Sequence, residues 1–214
     1  MVLKLAIVGS GLMGAKLGRL WARCGHEVTF SYSRSRAKLD RLAAETGGAA
    51  GSVADAVAGA EAVLFAVHWN RVEDALAQAG DLTGQVVLNC CVPLDASNTD
   101  LVLGPTTSGA EQLAVMRPRA RWVACFNTNP SESFELVYAR KGRAEPPQSL
   151  IYGDDAGAKA VARDLIRDIG FAPLEAGGLR TGRFVEPFAM VTAELAYGQP
   201  GGPALTYRFE KLRG

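Results

Sequence analysis

The 214-residue chain is 48% hydrophobic and 21% charged with a formal net charge of +1, which suits one soluble α/β domain carrying a small appendage. So small a charge excludes the basic excess of a nucleic-acid binder. No apolar run approaches bilayer length, and Met1 leads straight into the first strand with no room for a signal peptide, so no membrane partner and a cytoplasmic location are expected.

Residues 3–8 open the chain as a short apolar run, the mark of a buried parallel strand. The run breaks at Gly9-Ser10-Gly11-Leu12-Met13-Gly14 and continues with Leu17, Leu20, Trp21 and Cys24 at helical spacing. Strand, glycine turn and helix in that order is the context that gives G-x-G-x-x-G its meaning. Gly9 allows the tight turn, Gly11 admits a pyrophosphate to the backbone, and Gly14 lets helix and strand pack closely. The helix N-terminus then offers N–H groups and a partial positive charge to the phosphates.

A second strand is expected over residues 27–32. In a dinucleotide fold an acid at its end holds the ribose of NAD. Here the end reads Ser31-Tyr32-Ser33-Arg34-Ser35-Arg36-Ala37-Lys38, with hydroxyls and cations but no carboxylate. Arg34 can donate two parallel hydrogen bonds to a phosphate, so NADP is the expected cofactor.

Residues 36–46 read as a helix closed by Gly47-Gly48, followed by a weak strand near Ala49 and a short helix at 52–58 capped by Ser52. Residues 62–67 are apolar throughout, as a strand covered on both faces should be. His68-Trp69-Asn70 starts the next turn, at a strand end where ligands bind. His68 is either a cofactor or substrate contact or a turn histidine bonded to backbone, and Trp69 either packs over a ring or caps the core. A strand over 86–92 is expected to stop at Pro93. Residues 97–108 form a polar loop or lid, 111–116 a helix, 122–126 a strand and 127–131 a loop. An exposed connection at 141–148 leads to a strand at 149–152, a helix capped within Gly153-Asp154-Asp155, and a last strand near 171–174. Phe184, Phe188, Val191 and Leu195 then mark a C-terminal helix whose apolar side covers the domain or meets a second copy.

Cys24, Cys90, Cys91 and Cys125 form no C-x-x-C and read as buried small hydrophobes. Only His26 and His68 could supply imidazole, without companions at ligand spacing, so no metal site is expected.

One ordered set of segments carries a resemblance. It comprises the Gly9–Gly14 turn, the Ser31, Ser33 and Arg34 cluster, Ala66-Val67-His68-Trp69, Val92-Pro93-Leu94, Thr106-Thr107-Ser108-Gly109-Ala110-Glu111, Phe126-Asn127-Thr128, Tyr152-Gly153-Asp154-Asp155 and Arg183-Phe184-Val185-Glu186-Pro187. Over nearly the whole chain it resembles the coenzyme F-420-dependent NADP oxidoreductases and their wider group of short dinucleotide-binding reductases. The resemblance implies an α/β Rossmann fold, doubly wound and mostly parallel, over residues 1–176, with a small helical extension over 177–214 and a homodimer. It implies an enzyme that exchanges hydride between NADP(H) and a small-molecule acceptor, a deazaflavin or flavin-like ring. Ser10, Leu12 and Met13 would lie at the pyrophosphate, and Ser31, Ser33, Arg34 and Lys38 at the 2′-phosphate. Ala66, Val67, His68, Val92 and Pro93 would border the nicotinamide, and Trp69, Asn127, Thr128 and Asn129 the acceptor. His68 stands where that family usually has proline, and residues 129–133 depart from its pattern, so a flavin, ferric complex, quinone or imine stays open as acceptor. No residue is singled out as catalytic, because hydride transfer to a conjugated ring depends on geometry more than on acid–base groups. A non-catalytic NADPH-binding sensor is the other class of function compatible with this reading.

Overall fold

The computed structural model describes residues 1–212, so the last two residues of the expected extension lie outside it. The strands are β1 (Lys4–Val8), β2 (Glu27–Ser31), β3 (Ala49–Ala50), β4 (Ala62–Phe65), β5 (Val86–Asn89), β6 (Arg121–Cys125), β7 (Gln148–Tyr152) and β8 (Ala172–Gly177). They form one sheet in the order β3-β2-β1-β4-β5-β6-β7-β8. The first six are parallel to their neighbours. The order reverses between β1 and β4, and crevices for ligands open beyond the strand ends at such a point.

The helices are α1 (Leu12–Arg23), α2 (Arg36–Thr46), α3 (Val53–Ala58), α4 (Val72–Ala79), α5 (Gly109–Met116), α6 (Phe134–Tyr138), α7 (Ala156–Asp168) and α8 (Gly182–Tyr197). They cover both faces of the sheet, which explains the unbroken apolar strands. Within β1, Leu5 and Ile7 point to the core under α1, α2, α6 and α7, and Ala6 and Val8 to the core under α3, α4 and α5. Trp21 anchors α1 in the first core and donates its indole N–H to the carbonyl of Leu165, 3.0 Å away.

β7 runs antiparallel to β6, and β8 is parallel to β7. The cause is the length of α6. Five residues rise about 7.5 Å, too little to carry the chain back across the sheet, and a parallel neighbour needs a long crossover. The chain therefore starts β7 at the end where β6 finished.

The predicted elements appear in their expected order, with four differences. β4 stops at Phe65 and β5 at Asn89, earlier than their apolar runs suggest. At β5 the cause is visible: the Asn89 side chain accepts the N–H of Cys91 at 2.8 Å and turns the chain out of the ladder before Pro93. Two further helices, α4 and α6, fill stretches the sequence reading left unassigned. The C-terminal helix is present but presents its other side to the sheet. Gly182, Val185, Glu186, Ala189, Thr192 and Ala196 are buried, while Phe184, Val191 and Leu195 are exposed. Phe188, the fourth residue of the expected stripe, is half-buried against Tyr207 and Phe209 of the tail, and the other three do not cover this domain. Beyond α8 the tail lies along the start of β7, where the N–H of Gln148 donates to the carbonyl of Tyr207 at 3.0 Å.

Candidate functional site

The crevice lies beyond the C-terminal ends of β1, β2, β4, β5 and β6. The turn after β1 is built as its glycines demand. Gly9 has φ +110°, and a Cβ on it would fall inside the carbonyl of Ala66. A Cβ on Gly14 would fall on the carbonyl of Gly9. A Cβ on Gly11 would meet nothing within 4 Å. Two of the three glycines are therefore required by packing. The third keeps an open cradle at the N-terminus of α1, a position whose N–H groups could receive a diphosphate. Ser10 is buried and donates its N–H to the carbonyl of Tyr32, which ties this turn to the end of β2. Leu12 is exposed and Met13 half-buried beside the cradle.

The end of β2 divides the expected 2′-phosphate residues. Ser33 is half-buried, Arg34 exposed and Lys38 half-buried at the start of α2. Arg36 is engaged with Asp40 on its own helix. Among the described residues no carboxylate pairs with Arg34 or Lys38. Ser31 is a correction: it is fully buried, and its hydroxyl donates to the carbonyl of Ile7 at 3.0 Å, so it braces β2 against β1 and does not reach the rim. Tyr32, absent from the expected set, takes its place at the edge. Its φ of +57° turns it out of the strand, and its hydroxyl donates to Asp74 on α4 at 2.6 Å. Burial, reinforced by Asp74, pushes the phenol up to about 12. The bond ties the end of β2 to α4.

A groove of about 400 Å³ runs from Gly11, Leu12 and His68 between α1 and α2, past Ala15, Lys16, Arg19, Lys38, Arg41 and Leu42. Of its four cations the sequence points to Lys38 alone; Lys16, Arg19 and Arg41 are additions from the structure. For Lys16 and Arg19 the signal was helical spacing, because Leu12, Ala15, Lys16 and Arg19 fall on one side of α1. Arg19 and Arg41 share Glu45, and Lys16 donates to Ser131 at 3.0 Å.

Across the crevice, Ala66 is half-buried, Val67 buried and His68 exposed after β4. His68 occupies the cap position of a short 3-10 turn at Trp69–Arg71 without a side-chain bond to it. After β5, Val92 is half-buried and Pro93 buried. Phe126 turns the chain after β6 with φ +62° and stacks edge-on against Trp21, Phe134 and Phe171. So costly a conformation for a bulky residue persists only where packing imposes it. It aims Asn127 at the segment just after β5, where the Cys91 carbonyl accepts from Nδ2 at 2.8 Å.

Asn127 Oδ1 and Asn89 Nδ2 are buried with no partner among the described residues. Buried polar atoms of this kind are normally satisfied. One acceptor and one donor left over at the end of β5 and β6 match a polar ligand group better than a closed core. Thr128 and Asn129 sit deeper than expected. Thr128 pairs with the Tyr207 hydroxyl at 2.5 Å, and Asn129 donates to the carbonyl of Gln148 at 3.0 Å, so both brace the loop from behind. Gly11, Lys38 and His68 thus line one groove, Gly9, Gly14, Ser33, Arg34, Pro93 and Asn127 lie on the segments that follow the same strand ends, and Ser31, Thr128 and Asn129 are taken up by packing contacts.

Cys90, Cys91 and Cys125 are buried free thiols, and burial pushes Cys91 up to about 12. Among the described residues there is no cluster able to hold a metal ion and no helix long and apolar enough to cross a membrane.

Residues 4–93, which hold the diphosphate corner and the cationic rim, match the family model of coenzyme F420-dependent NADP oxidoreductases. Over that segment the chain is similar to this family. The members are NADP-dependent oxidoreductases by description. The whole chain is similar to a crystal structure from Arthrobacter sp. FB24 assigned as an F420-dependent NADP reductase, at 25% identity and TM-score 0.86, covering 98% of this chain and 100% of that one. It is also similar to a reductive aminase from Aspergillus terreus in complex with NADPH and ethyl levulinate, at 20% identity and TM-score 0.65, over 91% of this chain and 62% of that one. At that identity the likeness shows the fold alone. Rat metalloreductase STEAP3 is 29% identical over 132 residues, 62% of this chain. The chain spans a quarter of the length of that relative.

Proposed function

We propose that the protein is an NADP-dependent oxidoreductase that exchanges hydride with a deazaflavin, coenzyme F-420, or a flavin-like ring. One observation carries the reading: an open glycine cradle stands beside a rim that carries the Ser33 hydroxyl and the cations Arg34 and Lys38, neither of them paired with a carboxylate among the described residues. A carboxylate there would repel a 2′-phosphate, and residues 31–38 contain none.

When bound, NADPH supplies a hydride from the C4 position of its nicotinamide. This chain's residues do the rest. Gly11 and the N–H groups at the start of α1 hold the diphosphate, and Arg34 and Lys38 hold the 2′-phosphate. Val67, His68 and Pro93 border the ring, Asn127 offers its unpaired Oδ1 to an amide donor, and Trp69 covers the acceptor side. Residues 1–176 bind the cofactor and residues 177–214 form a contact between two copies. The exposed stripe Phe184, Val191 and Leu195 supports a homodimer, because large apolar side chains exposed together on one side of a helix mark a contact surface.

The test follows NADPH absorbance with F-420, FMN, ferric citrate and quinones in parallel. Oxidation that depends on F-420 or FMN supports the proposal. Oxidation with ferric citrate or quinone alone would replace the acceptor. No oxidation with any of them, despite tight NADPH binding, would move the protein to a sensor role.

A further inference from the structure

Two stretches that the sequence singled out have no part in holding the nucleotide: residues 106–111 and residues 183–187. In the structure they form one clasp. Ser108 caps α5, accepting the N–H of Glu111 at 3.2 Å. The next two N–H groups go to a side chain more than 70 residues away. Gly109 donates to Glu186 Oε2 at 2.8 Å, and Ala110 donates to Oε1 at 3.0 Å. Three residues earlier on α8, Arg183 forks onto Glu111 with bonds of 2.8 and 2.7 Å. Small residues let the helices close: a Cβ on Gly182 would lie 2.7 Å from Ser108 Oγ.

The carboxylate is an expensive way to join two helices. Glu186 is 2% exposed, and a buried charge costs several kcal/mol before its hydrogen bonds are counted. Burial pushes its carboxyl up to about 7 against the pull of both N–H groups. Glu111, Cys91 and the unpartnered hydroxyl of Tyr152 face it as well. What the carboxylate holds is the back of the crevice. The position of a Cβ on Gly109 lies 3.1 Å from Pro93 Cδ, 3.2 Å from Trp69 Cζ3 and 3.3 Å from Glu186 Oε1. The loops after β4 and β5 therefore meet at the peptide that Glu186 grips.

We propose that Glu186 is a positioning residue, which by holding Gly109 and Ala110 fixes Trp69 and Pro93 against the reacting face of the nicotinamide. This rests on the hydride-transfer reading of the same crevice. Glu186 itself stands one peptide behind the wall and touches no reactant.

Glu186→Gln keeps the volume and leaves one acceptor for two N–H groups. Its kcat should fall about tenfold, the worth of one hydrogen bond to a charged group. NADPH affinity should stay within about twofold, because the phosphates are held on the far side of the crevice. The emission of bound NADPH should shift, and the shift should vanish in a Trp69→Phe background. Gly109→Ala pushes on the same wall with the carboxylate intact and should give the same pair of changes. If Glu186→Gln fails to fold, Gly109→Ala decides alone. Unchanged kcat and emission in the folded variants, or affinity lost in step with kcat, would overturn the proposal. If the wild type turns over no acceptor, the hydride reading fails, and bound-NADPH emission alone still decides whether Glu186 sets the wall.

Discussion

In the proposed site, the choice of cofactor rests on a single side chain, Arg34. Its guanidinium is exposed at the rim, and no carboxylate pairs with it among the described residues. Arg34→Ala should weaken NADPH about tenfold to hundredfold, the range for a charge-assisted bond, and leave NADH nearly unchanged. Titration of both nucleotides by fluorescence checks this, and equal affinities in the wild type would sink the NADP assignment. Gly14 is a different kind of residue. A methyl there meets the carbonyl of Gly9, so Gly14→Ala should cost about 1–3 kcal/mol in urea unfolding as well as the cofactor. A stability equal to the wild type would show that the turn relaxes freely. At this scale the glycine turn and the cationic rim were legible, because each needs a residue type at a fixed spacing. Ser31 was not. Whether a hydroxyl at a strand end turns in or out depends on strand parity and on Ile7 next door, and the local sequence carries neither.

For α8 the sequence showed an apolar stripe but not its destination. Phe184, Val191 and Leu195 are spaced for one side of a helix, and the smaller residues that do face the sheet form an equally regular set. Size decided: Gly182, Ala189 and Ala196 let α8 approach α5 and the sheet closely, and the bulky stripe was left outside. If that stripe joins two copies, Phe184→Asp with Leu195→Asp should turn a dimer into a monomer in sedimentation velocity, with NADPH binding retained. A wild-type monomer at tens of micromolar would dismiss the dimer. Helices α4 and α6 escaped notice for a related reason. They are short, and α6 follows a strained turn at Phe126 that no residue pattern announces. The reversal of β7 depends on that shortness and so was equally hidden.

For the whole molecule, two groups of carboxylates pull stability in opposite directions with pH. Asp155 is held down to about 2, first by Arg121 and then by the N–H of Ala158, and Glu111 is lowered chiefly by Arg183. Their contribution is complete above the ordinary carboxylate range and disappears as pH falls through the lowered values. Glu186 acts in reverse. Raised from 4.5 to about 7, it is bound to its proton longer in the folded chain than in the unfolded one, so stability declines as pH climbs between those values. Urea midpoints should therefore peak near pH 5, and Glu186→Gln should flatten the decline toward neutrality. Identical slopes for both proteins would refute the account. The open space at Gly11 has a further consequence. Since folding asks nothing of that position, only the nucleotide constrains it: an alanine should give a fully folded, empty protein, and any cousin bearing a large side chain there has given up the nucleotide while keeping the architecture.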